Sequence, residues 1–105
     1  MPTVLVLFNL KENASISDYE TWAKTKDIPT VKSLGSINNF RVLKMGTLLG
    51  SDKPSPYQYA ELIEINNMEV FFADIGKEEI QAGSKQFNEF ADNPIFILAD
   101  DLITN

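Results

Sequence analysis

Few residues in this chain can do chemistry, because it holds no histidine and no cysteine. That removes the commonest general base at neutral pH, the thiolate nucleophile, and the usual ligands of zinc, copper and haem iron. Carboxylates, tyrosines, lysines, amides, hydroxyls and a single arginine, Arg41, remain. Two glutamates stand in a strand-forming run, Tyr57-Gln58-Tyr59-Ala60-Glu61-Leu62-Ile63-Glu64-Ile65. Side chains alternate along an extended segment, so Tyr59, Glu61, Ile63 and Ile65 share one face and Ala60, Leu62 and Glu64 the other. Each face then carries one carboxylate among apolar groups. Desolvation there raises a carboxyl pKa and equips it as acid or base; the alternative is that each pairs with Arg41 or Lys44 or reaches the sheet rim. Arg41, in Phe40-Arg41-Val42-Leu43-Lys44-Met45, is either a fork for the planar oxygens of an anion or carbonyl or a cross-strand partner of Glu61 or Glu64. The latter is worth under about 1 kcal/mol at an exposed site.

The aromatic residues offer walls rather than reactive groups. Trp22 lies one helical turn from Tyr19, and with Phe71 and Phe72 these either line a flat slot suited to a planar ligand or make ordinary core. Asn9 can direct one hydrogen bond into such a slot or cap a turn. Asp100 and Asp101 are adjacent and face opposite ways in a strand, so no metal site is expected from them. The chain shows no glycine-rich phosphate loop, nucleophile elbow or Ser-His-Asp set. The candidate catalytic residues are therefore Glu61, Glu64 and Arg41. The candidate ligand-binding residues are Asn9, Tyr19, Trp22, Tyr59, Phe71 and Phe72, with no metal and no cofactor.

These side chains need elements to hold them. Thr3 to Phe8 is a short apolar run that predicts a strand covered on both faces. After a polar turn over Lys11 to Ser15, Ser17 with Glu20 matches a capping box, and Tyr19, Trp22 and Ala23 fall on one side of the helix it opens. That helix is predicted to stop before Pro29, with a further turn carrying Val31 and Leu34 and closed by Gly35. A second strand runs from Asn38 to about Leu48, a loop covers Gly50 to Pro56, and a third strand spans Tyr57 to Ile65. Asn67 caps a helix with Val70, Phe71 and Ile75 inward, broken at Gly76. A second helical piece carries Ile80, Phe87, Phe90 and Ala91, ends at Pro94, and precedes a fourth strand, Ile95 to Ala99.

The order β-α-β-β-α-β is the ferredoxin-like split βαβ plan of the α+β class: one four-stranded antiparallel sheet, helices on one face, strands in the order four, one, three, two. With 105 residues the chain is expected to be one domain, 1–105. Nine basic against fifteen acidic residues give a net charge of −6, which argues against nucleic acid and against an anionic membrane surface. No apolar run reaches the ~20 residues of a membrane span. The start, Met1 to Phe8, lacks a basic leader and a small-residue cleavage site, so no signal peptide is expected and the cytoplasm is the default location.

Strand one puts Val4 and Val6 on one face and Leu5 and Leu7 on the other; strand four sets Ile95, Ile97 and Ala99 opposite Phe96 and Leu98. A lone sheet would leave that second face as an exposed apolar patch. Packing it against a second copy predicts a homodimer; the alternative is a monomer whose helices wrap an edge. Burying ~600 Å² of apolar surface per subunit is worth on the order of 15 kcal/mol before association costs.

The size, the element order and the two-sided apolar strands resemble the dimeric α+β barrel superfamily. Within it, Met1-Pro2-Thr3-Val4-Leu5-Val6-Leu7-Phe8-Asn9-Leu10, Asp18-Tyr19-Glu20-Thr21-Trp22 and Phe40-Arg41-Val42-Leu43 resemble the RedY-like proteins of prodigiosin-type pigment pathways. The resemblance implies a ligand held between sheet and helices, and a superfamily that includes cofactor-independent monooxygenases acting on polycyclic aromatics. Some of those use asparagine, tryptophan and arginine; Asn9, Trp22 and Arg41 are the same residue types without a position-by-position match. Two functions follow. One is an enzyme of secondary metabolism acting on a planar, mostly apolar intermediate, with Glu61 or Glu64 carrying a proton, Arg41 facing a carbonyl or oxyanion, and Trp22 and Tyr59 as walls. Enolisation followed by direct reaction with oxygen needs no metal or flavin. The other is a non-catalytic carrier or accessory protein that stabilises an intermediate or docks on a partner enzyme through its acidic surface and the Gly50 to Pro56 loop.

Overall fold

The computed structural model describes residues 2–103; Met1, Thr104 and Asn105, the ends of the expected 1–105 domain, lie outside the described residues. The elements run β1 (Thr3–Leu10), α1 (Ile16–Trp22), a π-helical turn (Ala23–Asp27), α2 (Ile28–Lys32), β2 (Ile37–Lys44), β3 (Tyr59–Ile65), α3 (Met68–Asp74), α4 (Glu78–Phe90) and β4 (Ala91–Ala99). The sheet is antiparallel throughout, in the order β2-β3-β1-β4. This is the ferredoxin-like α+β plan expected from the sequence, with the expected strand order. Among the described residues no helix is long and apolar enough to cross a membrane.

Register decides which residues meet. On the helix side of the sheet, one rung runs Val42, Glu61, Val6, Phe96 and the next Phe40, Ile63, Val4, Leu98, with Phe96 and Leu98 on the edge strand left largely exposed. On the open face the rungs are Leu43, Ala60, Leu7, Ile95 and Arg41, Leu62, Leu5, Ile97, bordered by Asn39, Glu64, Thr3, Ala99. The helix side buries two clusters, one around Val6, Phe8, Tyr19, Tyr59 and Phe87, the other around Leu34, Ile37, Phe40 and Ile65. Phe8 stacks on Tyr59 at 5.5 Å and meets the edges of Tyr19 and Phe87 at 5.7 and 4.8 Å. The open face carries two largely apolar rungs and no helix.

Several boundaries differ from the sequence reading: β1 runs on to Leu10, β3 starts at Tyr59 and β4 at Ala91, and four further differences concern caps and ends. The cap of α1 is Ser15, whose Oγ accepts from the Asp18 backbone N–H at 3.1 Å; Ser17 lies inside the first turn. The helix does not stop before Pro29. The π turn intervenes, with the Ile28 N–H donating to the Ala23 carbonyl, and Pro29 then occupies the first turn of α2, where a missing N–H is tolerated. β2 ends at Lys44 rather than near Leu48, although the Met45 N–H still donates to the Gln58 carbonyl at 2.8 Å. Pro94 does not end α4. The helix closes at Phe90, and Pro94 sits inside edge strand β4 beside Asn93, whose φ is 46°, where the β1–β4 register slips between Leu7 and Asn9. A bulge on an edge strand is where a sheet accepts proline.

On α3, Asn67 caps as expected, its Oδ1 accepting from the Val70 N–H at 3.0 Å, but Val70 itself is exposed while Phe71 and Ile75 face inward. Asp74 anchors this helix: it accepts from the Ser36 hydroxyl at 2.6 Å and meets Lys77 at 3.4 Å.

Candidate functional site

Between sheet and helices lies a cleft of about 1050 Å³. Its floor is the sheet, with Val4, Phe40, Glu61 and Ile63; one wall is the first helical segment, with Trp22, Asp27 and Val31; the other is α3 and α4, with Phe71, Ile80 and Phe87. Phe96 from the edge strand closes one end. The volume suits a molecule of drug size and the lining is mainly apolar.

Glu61 is the anomaly in that lining. It occupies the middle of an apolar rung, flanked by Val42 and Val6, and is only 6% exposed. Its Oε2 has no hydrogen-bond partner. Burial pushes its carboxyl up to about 8, and the neighbouring negative charge of Asp27 adds to the rise. Burial alone pushes Asp27 up to about 6. Two carboxyl groups thus share the cleft, one protonated at neutral pH and one largely ionised. The Tyr19 hydroxyl, buried in the core, is likewise without a hydrogen-bond partner; burial and then the Glu61 charge raise its pKa.

Among the described residues no ion pair is made to Glu61. Arg41 pairs with Leu62 in the register and lies on the open face, exposed and without an ion pair among the described residues. Lys44 shares the face of Glu61 but is held by Glu20 at 2.8 Å, and the Tyr59 hydroxyl donates to the same Glu20 oxygen at 2.6 Å. These bonds, that of Lys44 foremost, lower the Glu20 pKa; burial and the Glu20 contact raise that of Tyr59. The cross-strand pairing of Arg41 with Glu61 considered above is therefore not formed, because the two residues project from opposite faces. Glu64 is exposed on the open face, on the opposite side of the sheet from the cleft.

The other candidates scatter. Trp22 and Phe71 are half-buried cleft walls. Tyr19 is fully buried, packed on Tyr59 at 4.8 Å and Trp22 at 6.2 Å, so it supports the wall from behind. Tyr59 is core, with its hydroxyl engaged by Glu20. Phe72 is 62% exposed and outside the cleft, because consecutive helical residues point about 100° apart and Phe71 takes the inward position. Asn9 is a structural pin: its Nδ2 donates to the Pro56 carbonyl at 3.0 Å and its Oδ1 accepts from the Gln58 N–H at 2.9 Å, fastening the end of the β2–β3 connection to β1.

Asp27 was absent from the sequence candidates. A regular helix puts residues five apart on different faces, which separates it from Trp22. The π turn brings residues five apart into line, and both then face the cleft. Pro29, unable to supply an N–H to a continuing α-helix, is the sequence signal that such an irregularity is possible.

The family model described as REDY-like protein HapK matches residues 2–102. Among solved structures, HapK from Hahella chejuensis is similar over 100% of this chain and 96% of its own, with 23% identity and a TM-score of 0.77. SnoaB from Streptomyces nogalater, described as a cofactor-independent oxygenase, is similar over 98% of this chain and 94% of its own, at 9% identity and a TM-score of 0.76. A protein from Thermobifida fusca described as dimeric and ferredoxin-like is similar over 93% of this chain and 88% of its own, at 13% identity and a TM-score of 0.70. At these identities the structural likeness shows the fold alone. No curated protein matches the chain.

Proposed function

Because the chain belongs to the family of REDY-like HapK proteins, we propose that it is a small-molecule-binding protein of secondary-metabolite biosynthesis, of the prodigiosin-type pigment class, that seats a planar, mostly apolar intermediate in the cleft under its helices. The observation that carries this reading is Glu61: a carboxyl buried on an apolar floor, without a partner, facing a cleft large enough for a ligand. A carboxyl with a pKa near 8 both gives and takes a proton at neutral pH, the property a proton carrier needs. Trp22, Phe71 and Phe87 supply flat apolar walls. The reaction class this favours is proton transfer to or from the bound molecule without a cofactor; SnoaB, which shares the fold, is described as a cofactor-independent oxygenase.

A second reading is favoured by the position of Arg41. With the arginine on the far face of the sheet, the cleft has no guanidinium to hold an oxyanion, and a carrier that shelters an intermediate needs none. Turnover separates the two. In a reconstituted pathway, trace protein that converts many equivalents of intermediate, and loses this on Glu61→Gln, is the enzyme; protection of one equivalent per site is the carrier. Failure of any planar aromatic molecule to bind would end both.

The open face supports a homodimer. Its two apolar rungs, with Leu5, Leu7, Ile95 and Ile97 at their centre, match the surface a second sheet would cover, and the Thermobifida fusca neighbour is described as dimeric.

A further inference from the structure

We infer that Tyr19 is a positioning residue for Glu61: once the Glu61 carboxyl gives up its proton, it swings onto the buried Tyr19 hydroxyl, which donates to its Oε2. The inference rests on the reading of Glu61 as the proton carrier of the cleft and adds the group that receives its charge.

Among the described residues, the buried side-chain polar atoms without a hydrogen-bond partner are two, the Tyr19 hydroxyl and the Glu61 Oε2. Each is sealed from solvent. Although Glu61 lines the cleft, this oxygen is therefore turned away from its open space. The hydroxyl can donate and the carboxylate can only accept. They are also neighbours. Tyr19 packs at 4.8 Å on Tyr59, which precedes Glu61 by two residues on the same face of β3. After burial itself, the Glu61 charge does most to raise the pKa of the Tyr19 hydroxyl, ahead of Asp27, Tyr59 and Glu20.

The other groups around Glu61 are engaged, exposed or of the wrong sign. Lys44 of β2 shares its face but is held by Glu20 of α1, and the Tyr59 hydroxyl donates to the same Glu20. Asp27 of the π turn carries like charge. Lys26 beside it and Glu79 of α4 are exposed. On this rung β1 and β4 present Val6 and Phe96. β3 is paired on both sides, so its backbone N–H groups serve the ladder.

The two partners differ in freedom. The Tyr19 ring is boxed by Tyr59 at 4.8 Å, Phe90 at 5.6 Å, Phe8 at 5.7 Å and Trp22 at 6.2 Å, which leaves its O–H rotor free to turn. Glu61 turns about three side-chain bonds. The carboxylate therefore moves and the hydroxyl waits in place. A hydrogen bond to an ionised acceptor is about twice as strong as one between neutral groups, so the charged form chiefly makes the contact. Loss of the proton draws the carboxylate toward α1, and regaining it releases the side chain.

Carbon-13 NMR of glutamate-labelled protein without ligand tests this, the Glu61 carboxyl signal being assigned by its loss in Glu61→Gln. Tyr19→Phe is expected to raise the Glu61 midpoint by about one pH unit or more, at least about tenfold in the ionisation constant. Urea unfolding adds a sign that lost packing alone does not give. At pH 5 Tyr19→Phe removes a sealed, unmatched hydroxyl and costs little. Above pH 8 it should be less stable than wild type, because the higher folded-state midpoint prolongs the loss of stability with rising pH. In the Glu61→Gln background the effect of Tyr19→Phe should not change with pH. Should Tyr19→Phe fail to fold, 3-fluorotyrosine in the otherwise wild-type chain serves, its three signals assigned with Tyr57→Phe and Tyr59→Phe. The Tyr19 fluorine signal should move at the Glu61 midpoint and stay still in Glu61→Gln. An unchanged Glu61 midpoint in Tyr19→Phe, or a Tyr19 signal that ignores Glu61, overturns the inference while leaving Glu61 the proton carrier. A Glu61 midpoint in the ordinary carboxylate range in both wild type and Tyr19→Phe overturns both.

Discussion

A buried acid without a partner leaves a signature in the stability curve, and Glu61 makes it measurable. Its carboxyl titrates near 4.5 in the unfolded chain and near 8 in the fold. Between these values the native state holds a proton that the unfolded state has released, so stability falls as pH rises. The sign is opposite to that of a salt-bridged carboxylate. At 1.36 kcal/mol per pKa unit, the loss attributable to Glu61 is under about 1 kcal/mol at pH 5, about 3 kcal/mol at pH 7, and on the order of 5 kcal/mol above pH 8, where it is complete. These are upper figures, because the open cleft lets solvent relax around the ionised group. Glu61→Gln removes the titration while nearly keeping the shape. The expected outcome is a variant close to wild type in urea midpoint at pH 5 and more stable by roughly 2–4 kcal/mol at pH 8–9, followed by circular dichroism or Trp22 fluorescence. Asp27, raised to about 6, adds its own decline over roughly pH 4 to 6 in both proteins, and Asp27→Asn should also lessen the Glu61 effect. A wild-type-to-variant difference that does not change with pH would refute the reasoning, since it would mean Glu61 ionises in the fold as it does in water.

Two further outcomes are expected. Ser15→Ala should lower stability by about 1 kcal/mol in urea unfolding, because the Asp18 N–H loses its acceptor; Ser17→Ala, inside the helix, should cost much less. Leu5→Glu, which places a charge in the central apolar rung of the open face, should shift the protein from dimer to monomer in sedimentation at micromolar concentration, and a wild type already monomeric there would remove the homodimer.

The energetic position of Glu61 bears on function. A loss of about 3 kcal/mol at neutral pH is a large part of the 5–15 kcal/mol that holds a domain folded. Among the described residues no contact offsets it: the Oε2 is unpaired, the charge of Asp27 that acts on it is of like sign, and the rung around it is valine and phenylalanine. Lys44, on the next rung of the same face in the neighbouring strand, could have served, yet it is held by Glu20, which also accepts from the Tyr59 hydroxyl. Buried ionisable groups whose cost no structural contact offsets concentrate where a ligand or a reacting group completes the set.

What was legible in the sequence was period, and what was not was phase. Two-residue alternation in Val4 to Phe8 and Tyr59 to Ile65 fixed the strands and their apolar faces, and the element order then restricted the topology to one sheet. Alternation also put Glu61 and Glu64 on opposite faces of β3. It could not say which of them shares a face with Arg41, because that depends on how β2 pairs with β3, and a slip of one residue moves every side chain to the other face. The observed partner of Arg41 is Leu62, a register held at the loop end by Met45 donating to Gln58 and by Asn9 clasping Pro56 and Gln58. Those contacts join residues from 13 to 49 positions apart, and no local pattern encodes them. The same holds for Asp27. Helical spacing gave the inward positions of Tyr19 and Trp22 correctly, and one added residue in the π turn rotated what followed, bringing Asp27 to the cleft and carrying the helix past Pro29. The two carboxyls of the cleft, Glu61 on its floor and Asp27 on its wall, are thus set by single-residue offsets. Periodicity is a property of the element and can be read from composition, whereas the offset is fixed by a turn, a bulge or a distant hydrogen bond, which is why the site was less legible than the fold that carries it.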